Sequence, residues 1–188
     1  MKPKLMPRTE GFTLVELMVT IGILVFLGIV SAGPLMNSSS WIAHQELKSS
    51  ARKLALNLQY ARMEAVKRNS YCTVTFNQPV SGTTYSYVTY VDADGDLEFD
   101  AGETVLARVT LPASGGVAFD TAQGGGDGLS FINTSASLPS VAFDAKGLPR
   151  GWSSPAPPIY AGGTAFLRDN DGSRMSVLVS NVGRIRVQ

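Results

Sequence analysis

The chain has 188 residues, with 16 Lys or Arg against 15 Asp or Glu and a formal net charge of +1. That length holds one modest domain with accessory segments, and a charge this balanced supplies no global field toward nucleic acid or acidic partners. Cys72 is the single cysteine, which excludes an intramolecular disulfide and leaves the domain to be held by its core. Apolar residues crowd the N-terminus, whereas 15 of the 19 glycines fall at or after Gly82. This asymmetry predicts a membrane or helical front followed by a turn-rich β domain.

The first eleven residues carry Lys2, Lys4 and Arg8 and end at Gly11. From Phe12 to Val30 the only charge is Glu16, and apolar character continues to Met36. About 20 apolar residues in a helix span a bilayer core, and the basic leader then stays on the cytoplasmic side. A secretory signal peptide would keep its apolar stretch free of charge and end at a small-residue site. Ser31-Ala32-Gly33 is a weak match to such a site, and Glu16 argues against it. A plain anchor gives Glu16 no purpose. An ionisable group at the centre of a membrane helix costs about 2.5–3.5 kcal/mol on insertion scales and marks function by default.

Gly11-Phe12-Thr13-Leu14-Val15-Glu16 resembles the class III signal of type IV prepilins and pseudopilins. In that family a peptidase cuts after the glycine on the cytoplasmic side and N-methylates the new terminus. The resemblance implies that Gly11 is the cleavage residue, Phe12 the methylated N-terminus and Glu16 the fifth residue of the mature chain. Pro34 sits where many members kink or loosen the helix. In a helical polymer, Glu16 of one subunit can meet the Phe12 ammonium of a neighbour. Two buried charges are each costly alone and tolerable only when paired, so the pairing rewards correct register in a head-to-tail contact that does not close.

Beyond Pro34 a second helical pattern runs from about Ser39 to Asn69. Leu47, Ala51, Leu54, Leu58, Ala61 and Ala65 recur at alternating intervals of four and three, forming one apolar stripe. Lys48, Arg52, Lys53, Arg62, Lys67 and Arg68 occupy the opposite face, which with Glu46 and Glu64 reads as solvated. Ser38 to Ser40 can cap a helix start or continue the preceding helix. His44, the sole histidine, has no partner of ligand or base type and reads as a surface residue. The string from Leu58 to Asn69, LQYARMEAVKRN, resembles the stem-to-domain junction of the GspH/FimT branch, in which such a helix leads directly into an antiparallel β domain.

From Tyr71 the period becomes two. Cys72–Phe76, Tyr85–Val91, Thr104–Leu111, Gly128–Ile132, Val141–Phe143, Thr164–Leu167 and Met175–Val179 are the expected strands. Asp120–Gly128 and Gly147–Gly163 are expected loops. Cys72, opening a strand, reads as a buried small hydrophobe. The expected fold is therefore α+β: a long N-terminal helix, membrane-spanning in its first half, and a C-terminal antiparallel β domain of two small sheets, pilin-like. The segments are a leader over 1–11, a transmembrane helix over 12–36, an amphipathic stem over 37–70 and a periplasmic or extracellular domain over 71–188.

Two constellations within that domain carry candidate chemistry. Asp92, Asp94, Asp96, Glu98, Asp100 and Glu103 take the first, third, fifth, seventh, ninth and twelfth places of a twelve-residue run, the spacing at which oxygen ligands wrap calcium. Leu97 replaces the sixth-place glycine of an EF-hand, and a strand precedes the run; a solvated hairpin turn is the favoured reading and calcium the alternative. At the C-terminus, Gly183-Arg184-Ile185-Arg186 resembles the ending of FimT-type pilins, for which the implied role is DNA capture. A strand there sets two guanidiniums about 7 Å apart on one face, suited to bidentate phosphate contact, with Arg174 and Arg168 needed in support. The alternative is an edge strand kept soluble by its arginines.

No nucleophile elbow, zinc-protease motif or phosphate loop is present, so the chain is expected not to be an enzyme and to need no cofactor. The expectation is a minor pilin or pseudopilin of a type IV pilus or a type II secretion pseudopilus, at or near the filament tip. Its partners would be other pilins, a prepilin peptidase and the inner-membrane assembly platform. It would sit as a single-pass inner-membrane protein before assembly. A DNA-binding minor pilin is the competing function.

Overall fold

A computed structural model describes residues 11–36, 38–132, 138–151 and 159–188, with the side chains of residues 30–39 left aside. The expected leader, apart from Gly11, lies outside the described residues. The chain divides into two units between Ser39 and Ser40.

Helix α1 (Leu14–Met36) starts from a Thr13 cap: the Glu16 N–H donates to Thr13 Oγ1 at 3.3 Å, and the Leu17 N–H to the Thr13 carbonyl at 3.2 Å. Thr and Glu three apart have capping-box spacing, and the carboxylate falls in the first turn, where the helix dipole favours negative charge. Every side chain from Phe12 to Ile29 is exposed. Among the described residues no helix is long and apolar enough to cross a membrane. The described side chains of α1 fall short of the roughly 20 that a span requires.

Helix α2 (Ser38–Arg68) belongs mostly to the second unit. All six residues of its sequence stripe, from Leu47 to Ala65, are fully buried. It ends where Asn69 turns left-handed at φ 52° and the Ser70 N–H donates to the Ala65 carbonyl, a helix-terminating turn that asparagine tolerates. The chain then enters the sheets at once.

Twelve strands follow among the described residues: β1 (Tyr71–Phe76), β2 (Pro79–Val80), β3 (Thr83–Thr84), β4 (Tyr87–Asp92), β5 (Thr104–Val109), β6 (Ala118–Phe119), β7 (Ser140–Phe143), β8 (Pro149–Gly151), β9 (Ile159–Tyr160), β10 (Gly163–Arg168), β11 (Arg174–Val179) and β12 (Ile185–Val187). They form a six-stranded sheet ordered β5-β4-β1-β7-β8-β9, a four-stranded sheet ordered β12-β11-β10-β6 and a β2-β3 ribbon. Every pairing is antiparallel. Short strands joined locally are what closely spaced glycine turns permit.

The α2 stripe shares one core with Cys72, Val74, Phe76 and Phe143 of the first sheet and with Ala165, Leu167, Val177 and Val179 of the second. Phe76 is its centre, stacked on Phe131 at 5.1 Å and edge-on to Phe119 at 5.6 Å, arrangements favoured by the ring quadrupole. Cys72 is free and buried, and burial pushes its thiol up to about 11, so it acts as the small hydrophobe expected.

Three expectations change. Gly128–Ile132 is not a strand: only Leu129 bridges to Ala165, and the left-handed glycines before it bend the chain away from a ladder. Within the expected 147–163 loop, β8 and β9 extend the first sheet. Pro149 opens β8, a strand position that proline tolerates. The first sheet is consequently not small.

Candidate functional site

The processing and assembly residues cluster at the start of α1. Phe12 precedes the Thr13 cap and Glu16 lies in the first turn, all exposed. Gly11, immediately upstream, is exposed with nothing within 4 Å of where a Cβ would stand. A small residue there leaves the peptide bond to Phe12 open on all sides. Nothing in this chain neutralises or buries the Glu16 carboxylate.

The acidic run is not a solvated hairpin. Asp92 is fully buried at the end of β4, and both its oxygens are occupied. Oδ1 accepts the Gly95 N–H at 2.7 Å; Oδ2 accepts the Leu97 N–H at 3.0 Å and the Thr73 hydroxyl at 2.9 Å. Burial raises its carboxyl above the usual range despite those donors. Glu103 closes the other end, accepting N–H groups of Ala93 at 3.1 Å and Asp100 at 3.0 Å. Leu97, at the position where an EF-hand has glycine, is left-handed (φ 66°) and fully buried, its carbonyl accepting the Ser140 hydroxyl. The run thus folds back on the outer face of the first sheet, anchored by one leucine and two capping carboxylates. Ligand oxygens of Asp92, Asp94 and Asp96 lie within 4.8 Å of one another. Glu98, Asp100 and Glu103 do not join that group.

At the C-terminus, Arg184 and Arg186 are exposed while Ile185 and Val187 turn inward, as the alternation requires. Only residues 185–187 form β12; Arg184 belongs to the preceding turn, its N–H donating to Ser180 Oγ at 3.0 Å. Arg174 is engaged elsewhere: its Nε lies 2.7 Å from Asp120 Oδ2. That oxygen makes no hydrogen bond of ordinary direction, so the pair is an ion contact. Arg168 is exposed on β10.

Gly183 has a structural task that its motif did not announce. Its φ is 78°, and a Cβ there would come 2.7 Å from the Gly147 carbonyl oxygen. Its own carbonyl accepts Arg62 Nη1 at 3.0 Å. The junction string of α2 and the terminal turn, 121 residues apart, therefore lock together. Arg62 is no solvated cation, and neither is Glu64 a solvated anion. Glu64 is buried and bound by Arg68 Nε at 2.7 Å and Lys67 Nζ at 3.1 Å, which hold its carboxyl below the usual range. His44 is exposed.

Sequence reasoning also missed a second cluster. Asp144 accepts the N–H groups of Leu148 and Lys146, both at 2.9 Å, and the Arg150 guanidinium at 2.9 Å, while that guanidinium stacks 3.6 Å over the Tyr160 ring. The only signal in the chain was the Asp-x-Lys-Gly turn.

A capped apolar helix with one carboxylate, a half-buried amphipathic stem and antiparallel sheets packed on it define the pilin class of subunit. The family model of type II transport protein GspH matches residues 50–183, and that of the prokaryotic N-terminal methylation motif matches residues 6–32. The chain belongs to the GspH family and carries the methylation motif: it is a minor pilin or pseudopilin of a type IV pilus or type II secretion system, and the motif indicates prepilin peptidase processing. The pilin-like protein PilA1 of Thermus thermophilus is 28% identical over 181 residues, covering 95% of this chain and 98% of its own. Among solved structures, minor pseudopilin EpsH of the Vibrio cholerae type 2 secretion system is 14% identical, covers 76% of this chain and 96% of its own, and has a TM-score of 0.47. Type IV minor pilin FimU of Pseudomonas aeruginosa is 18% identical, with coverages of 77% and 90% and a TM-score of 0.44. At such scores the two structures add no weight; family membership stands on the sequence matches. None of these relatives supports the DNA-capture alternative.

Proposed function

We propose that this protein is held in the inner membrane by α1, with its sheet domain on the periplasmic side, and is cut after Gly11 and N-methylated at Phe12. It is then drawn by the assembly platform into a filament, at or near the tip, where it acts as a structural subunit without catalytic activity. The observation that carries this is the start of α1. Glu16 is one carboxylate in an otherwise apolar helix, exposed and unneutralised by its own chain. A neighbour's Phe12 ammonium satisfies it, because a charge withdrawn from water is tolerated when an opposite charge meets it.

Mass spectrometry of the mature protein from purified filaments and membranes tests the proposal. A chain beginning with N-methylated Phe12 supports it. A mature chain that begins elsewhere, or one that never leaves the membrane as part of an assembly, overturns it.

A further inference from the structure

The outward face of α2 is more than a solvated basic surface. Leu56 is 64% exposed and Met63 62% exposed, with Tyr60 between them; their spacing of four and three makes a second stripe opposite the buried one. Toward the N-terminal half, Lys48, Arg52 and Lys53 border this stripe, with Trp41, 65% exposed, beyond them. Among the described residues, none of these three cations makes an ion pair.

The chain carries the complementary charge at the other end of the same helix. Asp92 pairs with Tyr71 across β1 and β4, and its carbonyl accepts the Ser70 hydroxyl, so the acidic turn begins level with the C-terminus of α2. Asp94 is exposed beside Asn69, Ser70 and Tyr71. Asp96 lies within ligand distance of it, and neither makes an ion pair among the described residues. From Lys48 or Arg52 to Arg68 the helix rises roughly 24–30 Å, at about 1.5 Å per residue. That exceeds a Debye length of about 8–10 Å several-fold, so one molecule cannot satisfy its own acids with its own cations.

We infer that the outward face of α2 around Lys48, Arg52 and Lys53 receives the Asp94–Asp96 end of a second copy of this chain, in a head-to-tail contact along the helix axis. Acids at one end and cations at the other make the contact heterologous, and a heterologous contact that does not close extends into a row. The carboxylates, crowded in one copy, meet cations instead of one another. Leu56 and Trp41, which bracket the cations, lose water in the same step. The inference rests on the filament-subunit reading, which supplies the axial alignment.

Disulfide trapping of the full-length chain in its native membrane, with EDTA present to remove metal ions, tests it. Buried Cys72 stays silent. Chains carrying Arg52→Cys and Asp94→Cys, expressed together, should give a covalent dimer under mild oxidation, whereas either alone should not. On that background, Lys53→Glu should lower the dimer at least about three-fold, as loss and reversal of exposed ion pairs predicts. Adding Asp96→Lys should restore it. Absence of the dimer, trapping only to a different pilin, or indifference to the charge reversal would each overturn the inference. Mature Phe12 termini and normal recovery in filaments, measured on the same samples, show that such a failure leaves the subunit function standing.

Discussion

The two helices of this protein solve opposite problems with similar lengths. Helix α2 places six residues at alternating four and three spacing against its own sheets and buries all of them. Helix α1 leaves every described side chain exposed and offers one carboxylate at its capped start. One helix is completed by its own chain; the other is completed only by lipid or by neighbours. A periodic stripe marks the first condition, and an apolar surface that runs all round marks the second.

That contrast can be broken at either end. The largest effect is expected from Glu16→Ala, which removes the only charge of α1. Cleavage should continue while recovery in filaments, by quantitative immunoblot, falls at least about ten-fold, since breaking a buried pair costs more than the pair contributes. Wild-type recovery would remove the pairing argument. In α2 the equivalent lesion is intramolecular: Leu54→Ala should lower domain stability by about 2–5 kcal/mol in a denaturant melt and leave the terminus at Phe12. Gly183→Ala should cost roughly 2 kcal/mol, since it strains a left-handed residue and pushes a methyl toward the Gly147 carbonyl. If that variant melts like wild type, the lock between Arg62 and the terminal turn is not structural.

The acidic groups of the sheet domain sharpen the comparison further, because here charge is satisfied within the chain. Burial alone would raise the Asp144 carboxyl, but the Leu148 N–H, Arg150 and the Lys146 N–H outweigh it and leave it below the usual range. Its stabilisation is therefore present above the ordinary carboxylate range and lost as pH falls through the lowered value. Asp144→Asn should flatten the acid side of a stability-against-pH curve; an unchanged acid side would show that Asp144 carries none of it. The smallest effect is expected from calcium. Both Asp92 oxygens already accept protein donors, so millimolar calcium should move the melting temperature by less than about 1 °C. A shift of several degrees would show that the turn gathers round an ion.

The difference in legibility follows from the range of the interactions involved. The α2 stripe is a matter of residues three and four apart, so Leu47 through Ala65 could be read directly and all proved buried. The start of α1 was equally plain: Thr13 three before Glu16 is local, and a lone carboxylate in an apolar run is conspicuous without any structure. Leu56, Tyr60 and Met63 had the same periodic signal, but the cations between them hid it. The fate of Gly128–Ile132 was not local, since alternating residues form a strand only when another strand is available to pair.

Amino-acid order alone settles how the parts follow one another, which face of the stem is buried and that the apolar helix has a single charge, because each depends on spacing along a few turns of chain. Only packing in three dimensions determines that Leu97 pins the acidic turn to a sheet and that Arg62 and Gly183 hold each other across 121 residues. It also places Glu64, buried, between two cations. Burial and pairing between distant segments are properties of the packed chain, and no local pattern encodes which polar group will find which partner.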